Sequence, residues 1–81
     1  MSELLDLNNI EINKKFENNF HWFIEHYGQL KIDFANKIIA IDDYKVIDSD
    51  VDIELLLQRL REKYGDIRHI LIKYIKNRKD I

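Results

Sequence analysis

From Lys14 to Phe34 the apolar positions keep helical time. Phe16, Phe20, Phe23, Ile24, Tyr27, Leu30 and Phe34 recur every three or four residues. At about 100° per residue they fall in one stripe roughly 120° wide, which predicts an amphipathic helix. Asn13 is placed to cap its start. Gly28 lies inside the pattern, where glycine costs about 1 kcal/mol relative to alanine, so a break or bend is expected near it. The period then shortens. "KIIAI" (Lys37 to Ile41) reads as a β-branched strand, "DDYK" as a turn and "KVI" (Lys45 to Ile47) as the return strand. Tyr44 is an uncommon turn residue and points to a loop longer than two residues. A second helical stripe, Ile53, Leu56, Leu57, Leu60 and Tyr64, runs within a segment from about Asp50 to Tyr64. Gly65 follows where a left-handed C-cap belongs. "HILIKYI" (His69 to Ile75) alternates as a third strand.

The predicted order is α-β-β-α-β, an α+β fold with a three-stranded antiparallel sheet. The most continuously apolar strand suits the centre, giving order 2-1-3, with a right-handed helical crossover between the second and third strands. Both helices are expected on one face, in two layers. Residues 13–76 form the domain. Residues 1–12, with Leu4, Leu5, Leu7, Ile10 and Ile12, form an arm or short helix, and residues 77–81 a frayed basic tail.

In a two-layer domain one sheet face should be polar, yet every strand here is apolar on both sides. Trp22 and Ile32 lie off the first helix's stripe, and Val51 and Leu55 lie opposite the second's. An apolar surface left over in this way marks an interface. Trp22, Ile32, Ile39, Ile41, Val51, Leu55, Leu71 and Ile75 are therefore the candidate contact residues. The expected partner is a second copy of the chain or another protein, met at the open sheet face or a sheet edge. The competing reading folds residues 1–12 over that face.

The 46% apolar content is that of a globular chain. With no apolar run of membrane-spanning length and no signal-peptide pattern, a soluble cytoplasmic protein is expected. The absence of cysteine excludes disulfides and thiolate chemistry. No proline, two glycines and 35% charged residues resemble a thermophile composition. Charge is unevenly spread. Residues 1–53 hold eleven acidic and five basic side chains, and residues 54–81 hold four and eight. This asymmetry raises a second functional reading, an antitoxin-like or regulatory protein contacting nucleic acid through Arg59, Arg61, Lys63 and Arg68.

"VIDSDVDIE" (Val46 to Glu54) opens like a calcium loop, with Asp48, Asp50 and Asp52 at alternate positions. The sixth position, which should be glycine, is Ile53, and the twelfth, which should be glutamate, is Arg59. A helix start fits better, with Ser49 or Asp50 as the cap and acidic residues at the positive end of the dipole. His21 and Glu25 stand one helical turn apart, but two ligands make no closed metal site, and His26 points elsewhere. Phosphate-cradle and nucleophile-elbow motifs are absent. No catalytic residue, metal or cofactor is expected.

Residues 22–75 resemble a family of small, mainly archaeal domains of unknown function. The resemblance runs through Trp22, Phe23, Phe34, Lys37, Ile39 to Ile41, Val46, Ser49 with Asp50, Leu56, Leu57, Leu60 and Ile70 to Ile75. Asn36 stands where many members carry glycine, and asparagine tolerates the left-handed backbone such a site requires. The resemblance implies the same α-β-β-α-β order and no catalytic residues.

Overall fold

The computed structural model describes residues 7–76. Six elements follow one another: α1 (Leu7–Glu25), α2 (Tyr27–Asp33), β1 (Lys37–Asp42), β2 (Lys45–Asp50), α3 (Ile53–Tyr64) and β3 (Leu71–Ile75). Residues 7–12 thus belong to α1, and Asn13 is an interior residue of that helix rather than its cap. The rest of the predicted arm and the basic tail lie outside the described residues.

The expected break is present, two residues before Gly28. His26, at φ −110° and ψ 10°, leaves helical geometry and separates α1 from α2. Backbone bonding continues across it, from the His26 N–H to the Trp22 carbonyl (3.0 Å) and from the Leu30 N–H to the His26 carbonyl (3.0 Å). The result is a kink in a nearly continuous ladder. His26 Nδ1 lies 2.9 Å from the Trp22 carbonyl, and the imidazole stacks on the indole at 4.3 Å.

The sheet has order β2-β1-β3 with both pairings antiparallel, as the hydrophobic pattern predicts. β2 and β3 therefore run parallel to each other, and α3 is the crossover between them. The β1–β2 loop is tighter than Tyr44 suggested. Asp42 pairs with Lys45 and only Asp43 and Tyr44 lie between. Both take positive φ, 54° and 62°, as a two-residue turn matched to strand twist requires. Asn36 also sits at positive φ, 65°, in the connection where asparagine was expected to accept it. β2 carries a bulge. Ala40 pairs with Asp48 but Ile41 pairs with Val46, so Ile47 is the extra residue.

The helices do not share one face of the sheet. Side chains alternate across a strand, and the two sets on β1 enter two separate cores. Ile39 and Ile41 pack with Leu71 and Ile75 against Phe23 and Leu30 of α1 and α2, joined by Trp22, Tyr27, Phe34 and Val46. Ala40 packs with Leu56, Leu60 and Ile70, joined by Ile38, Ile47, Leu57, Ile67 and Ile72, beneath α3. Apolar strands with two greasy faces are thus covered from both sides. The physical reason is plain: two helices on one face would leave the other set of isoleucines in water, at about 1.5–3 kcal/mol for each large side chain.

Candidate interaction surface

The aspartate run divides its labour. Asp52 is the N-cap of α3: its carboxylate accepts from the backbone N–H of Glu54 (2.9 Å) and Leu55 (3.2 Å). It replaces Ser49 and Asp50 as the expected cap, because β2 continues to Asp50 and holds both residues in the sheet. Asp50 takes the Asp52 N–H at 2.9 Å, turning the chain from strand to helix. Asp48 and Asp50 otherwise serve Arg59, one and a half turns into α3. Its Nε and Nη2 donate to Asp48, Nη1 donates to Asp50 at 2.8 Å, and Nη2 also reaches the Ser49 carbonyl. Hydrogen bonding from Arg59 holds the Asp48 carboxyl below its usual range. Asp50 is lowered chiefly by the Asp52 N–H and then by Arg59, whose own pKa is raised in turn. A guanidinium occupies the place a loop cation would take.

A second polar cluster escaped the sequence reading. Asn19, on α1, is 2% exposed. Its amide donates to Asp42 Oδ1 (3.1 Å) and to the His69 carbonyl (2.9 Å), while His69 Nε2 lies 3.2 Å from Asp42 Oδ2. These bonds fasten α1 to the end of β1 and to the segment entering β3. A buried amide with both protons used is a satisfied strut, and its loss would leave polar groups unpaired. The only signal was the position of Asn19, four residues before Phe23.

That position also shows how α1 is rotated. Asn19 and Phe23 face the sheet, whereas Phe16, Phe20 and Ile24, one residue round and so about 100° away, remain 40%, 41% and 55% exposed. They form an i, i+4, i+8 stripe beyond the covered core. Its C-terminal member, Ile24, reaches β3. There Phe23, Ile24, Tyr27, Lys73 and Tyr74 line an open groove of about 280 Å³. Lys73 extends its ammonium over the Phe23 ring at 5.5 Å, and Tyr74 is 58% exposed. Among the described residues β3 is an edge strand, paired with β1.

The residues predicted for an interface separate into three groups. Ile39, Ile41, Leu71 and Ile75 are core residues, at most 4% exposed, because the sheet face they line is covered by α1 and α2. Trp22 is half-buried against the same core. Ile32, Val51 and Leu55 are exposed, Val51 between β2 and α3 and Leu55 on α3. Among the predicted nucleic-acid contacts, Arg59 is engaged by Asp48 and Asp50. Arg68 chelates Asp66 through Nε and Nη2, which holds the Asp66 carboxyl down at about 2. Arg61 and Lys63 are exposed, and the Lys63 ammonium lies 5.5 Å from the Tyr64 ring. His21 and Glu25 are exposed on α1, and no group of three His, Cys, Asp or Glu among the described residues is placed to hold a metal. No described helix is long and apolar enough to cross a membrane.

No curated protein and no solved structure matches the chain. A family model does, across residues 29–77, from α2 through the end of β3. The match covers the whole sheet and its crossover helix, more than half of the sequence, and the chain belongs to that family, DUF5678, a family of unknown function.

Proposed function

We propose that this chain is a small protein-interaction module that acts by binding rather than catalysis, through the α1 stripe and the open edge of β3. The observation that carries this reading is their adjacency. Among the described residues β3 is a regular sheet edge, and Ile24, the C-terminal member of the exposed line Phe16, Phe20 and Ile24, lies against its Lys73 and Tyr74. Of the two places inferred from the sequence, this surface keeps the sheet edge and drops the open sheet face, since both faces are covered. Of the residues named for the nucleic-acid alternative, Arg59 and Arg68 pair with aspartates, and Arg61 and Lys63 are exposed.

Residues kept for docking contribute little to folding of the isolated chain. Phe20→Ser and Ile24→Ser remove partly buried side chains and should each cost a dilute sample less than a core truncation, no more than about 2 kcal/mol. Both should also weaken retention on a hydrophobic-interaction column. A loss above about 2 kcal/mol, the scale of a core truncation, would make the stripe part of the core and sink the proposal.

A further inference from the structure

The structure assigns a binding site for a guanidinium group to the cleft between α1 and the β1–β2 turn. Lys15, Asn18, Asn19, Asp42, Asp43 and Tyr44 line this cleft, whose volume is about 230 Å³. It uses no residue of the docking surface proposed above and does not depend on it. The observation that points to a ligand is the oxygen of the Asn19 amide. Asn19 is 2% exposed, and both bonds of its side chain leave from Nδ2, to Asp42 Oδ1 and to the His69 carbonyl. That fixes the orientation of the amide, since an oxygen in the same place would face two acceptors. Oδ1 therefore accepts no hydrogen bond among the described residues. None of their fully enclosed side-chain polar atoms lacks a partner, so Oδ1 reaches the surface, and Asn19 lines this cleft. An acceptor almost sealed from water gains most from a donor that a ligand brings.

The neighbours of that oxygen select the donor. The Asp43 carboxylate forms no hydrogen bond or ion pair among the described residues. Asp42 accepts from Asn19 at Oδ1 and faces His69 through Oδ2, so each of its oxygens keeps a lone pair. Lys15 brings the one ammonium on the lining, and two carboxylates outweigh it. The cleft is thus rich in acceptors and favours a cation. No group of three His, Cys, Asp or Glu among the described residues is placed to hold a metal, which leaves an organic cation. An amide oxygen and two carboxylates, presented from α1 and from the end of β1, suit a planar group with several N–H donors in a fixed fork. Tyr44, 60% exposed and held by the turn at φ 62°, supplies a ring on the rim for such a group to stack on.

The probe is N-acetyl-arginine amide, with N-acetyl-citrulline amide as its neutral isostere and N-acetyl-lysine amide as its ammonium counterpart. At low ionic strength the arginine compound should give saturable NMR shifts of the Asn19 side-chain amide and of the Asp43 and Tyr44 backbone amides. The citrulline compound should give none, and the lysine compound should bind more weakly. Asp43 is an exposed turn residue, so Asp43→Asn leaves the Asn19 bonds in place, and it should weaken binding of the arginine compound about tenfold. Agmatine and a blocked arginine tripeptide, titrated in the same way, tell a free guanidino compound from the side chain of a protein by which binds more tightly. The absence of a saturable shift overturns the inference, as do equal shifts with the citrulline compound or binding indifferent to Asp43→Asn. Equal affinity for the lysine compound overturns it too, because the site then selects charge and not the guanidinium.

Discussion

The sheet has two edges, and the chain treats them differently. β2 is bulged at Ile47, and its outer half carries Asp48 and Asp50 beneath the Arg59 guanidinium of α3. Irregular spacing, carboxylates and a nearby helix are the devices by which an edge is made unfit for pairing. β3 is regular, reads Leu-Ile-Lys-Tyr-Ile, and has a single charge, Lys73, whose ammonium is turned over the Phe23 ring. Beside it lies the exposed stripe of α1. One edge is irregular and carries ion-paired carboxylates, and the other is the regular edge on which the proposed docking surface rests.

The contrast is broken most forcefully at Leu56, which is fully buried beneath α3. Leu56→Ala should cost about 2–5 kcal/mol in chemical denaturation, and by loosening α3 it should leave β2 as exposed as β3. Arg59→Ala is the next largest. It leaves Asp48 and Asp50 facing each other without their cation, and should lower the melting temperature at pH 7. Both carboxyls have folded pKa values below their unfolded ones, so their stabilisation is present above the unfolded pKa of about 3.9 and is lost as pH falls through the folded values. The gap between unaltered protein and variant should therefore close below about pH 4, and a gap that stays constant from pH 7 to pH 3 would remove the electrostatic account. The smallest effect has the opposite sign. Tyr44 holds φ 62° in the hairpin leading into β2, and Tyr44→Gly should raise stability by up to about 1 kcal/mol by relieving that conformation. A loss on the same melting curve would show that the Tyr44 side chain contributes packing that outweighs the strain.

The order of elements and the central place of β1 were legible because strand and helix periods differ and the most apolar strand belongs in the middle. The face taken by α3 was not. Ile38 and Ala40 on one side of β1 and Ile39 and Ile41 on the other give a period-two pattern no preference, and only packing shows that each side has its own helix. The cap was one of several acidic or hydroxyl side chains within five residues, and the end of β2 decided for Asp52. The kink fell at His26, not at Gly28, because the aromatic stack with Trp22 and the Nδ1 contact to the Trp22 carbonyl are made there, and no propensity scale includes them. The docking surface was hidden for a related reason. Phe16, Phe20 and Ile24 belong to the same apolar stripe as Phe23, and α1 is rotated so that Phe23 and Asn19, bonded to Asp42 and His69, are buried while the other line is exposed. The clue to Arg59 lay in the sequence as the residue that spoils a calcium loop, but its role there is positive.

In terms of occupancy, the place between Asp48 and Asp50 is taken by the Arg59 guanidinium. Its cation is tethered through one short stretch of backbone, so its effective concentration is set by chain geometry and not by the surroundings. A loop filled by free calcium would tie the start of α3 to the ionic state of the compartment. With Arg59 in that place, the tie between the end of β2 and the start of α3 follows acidity and ionic strength.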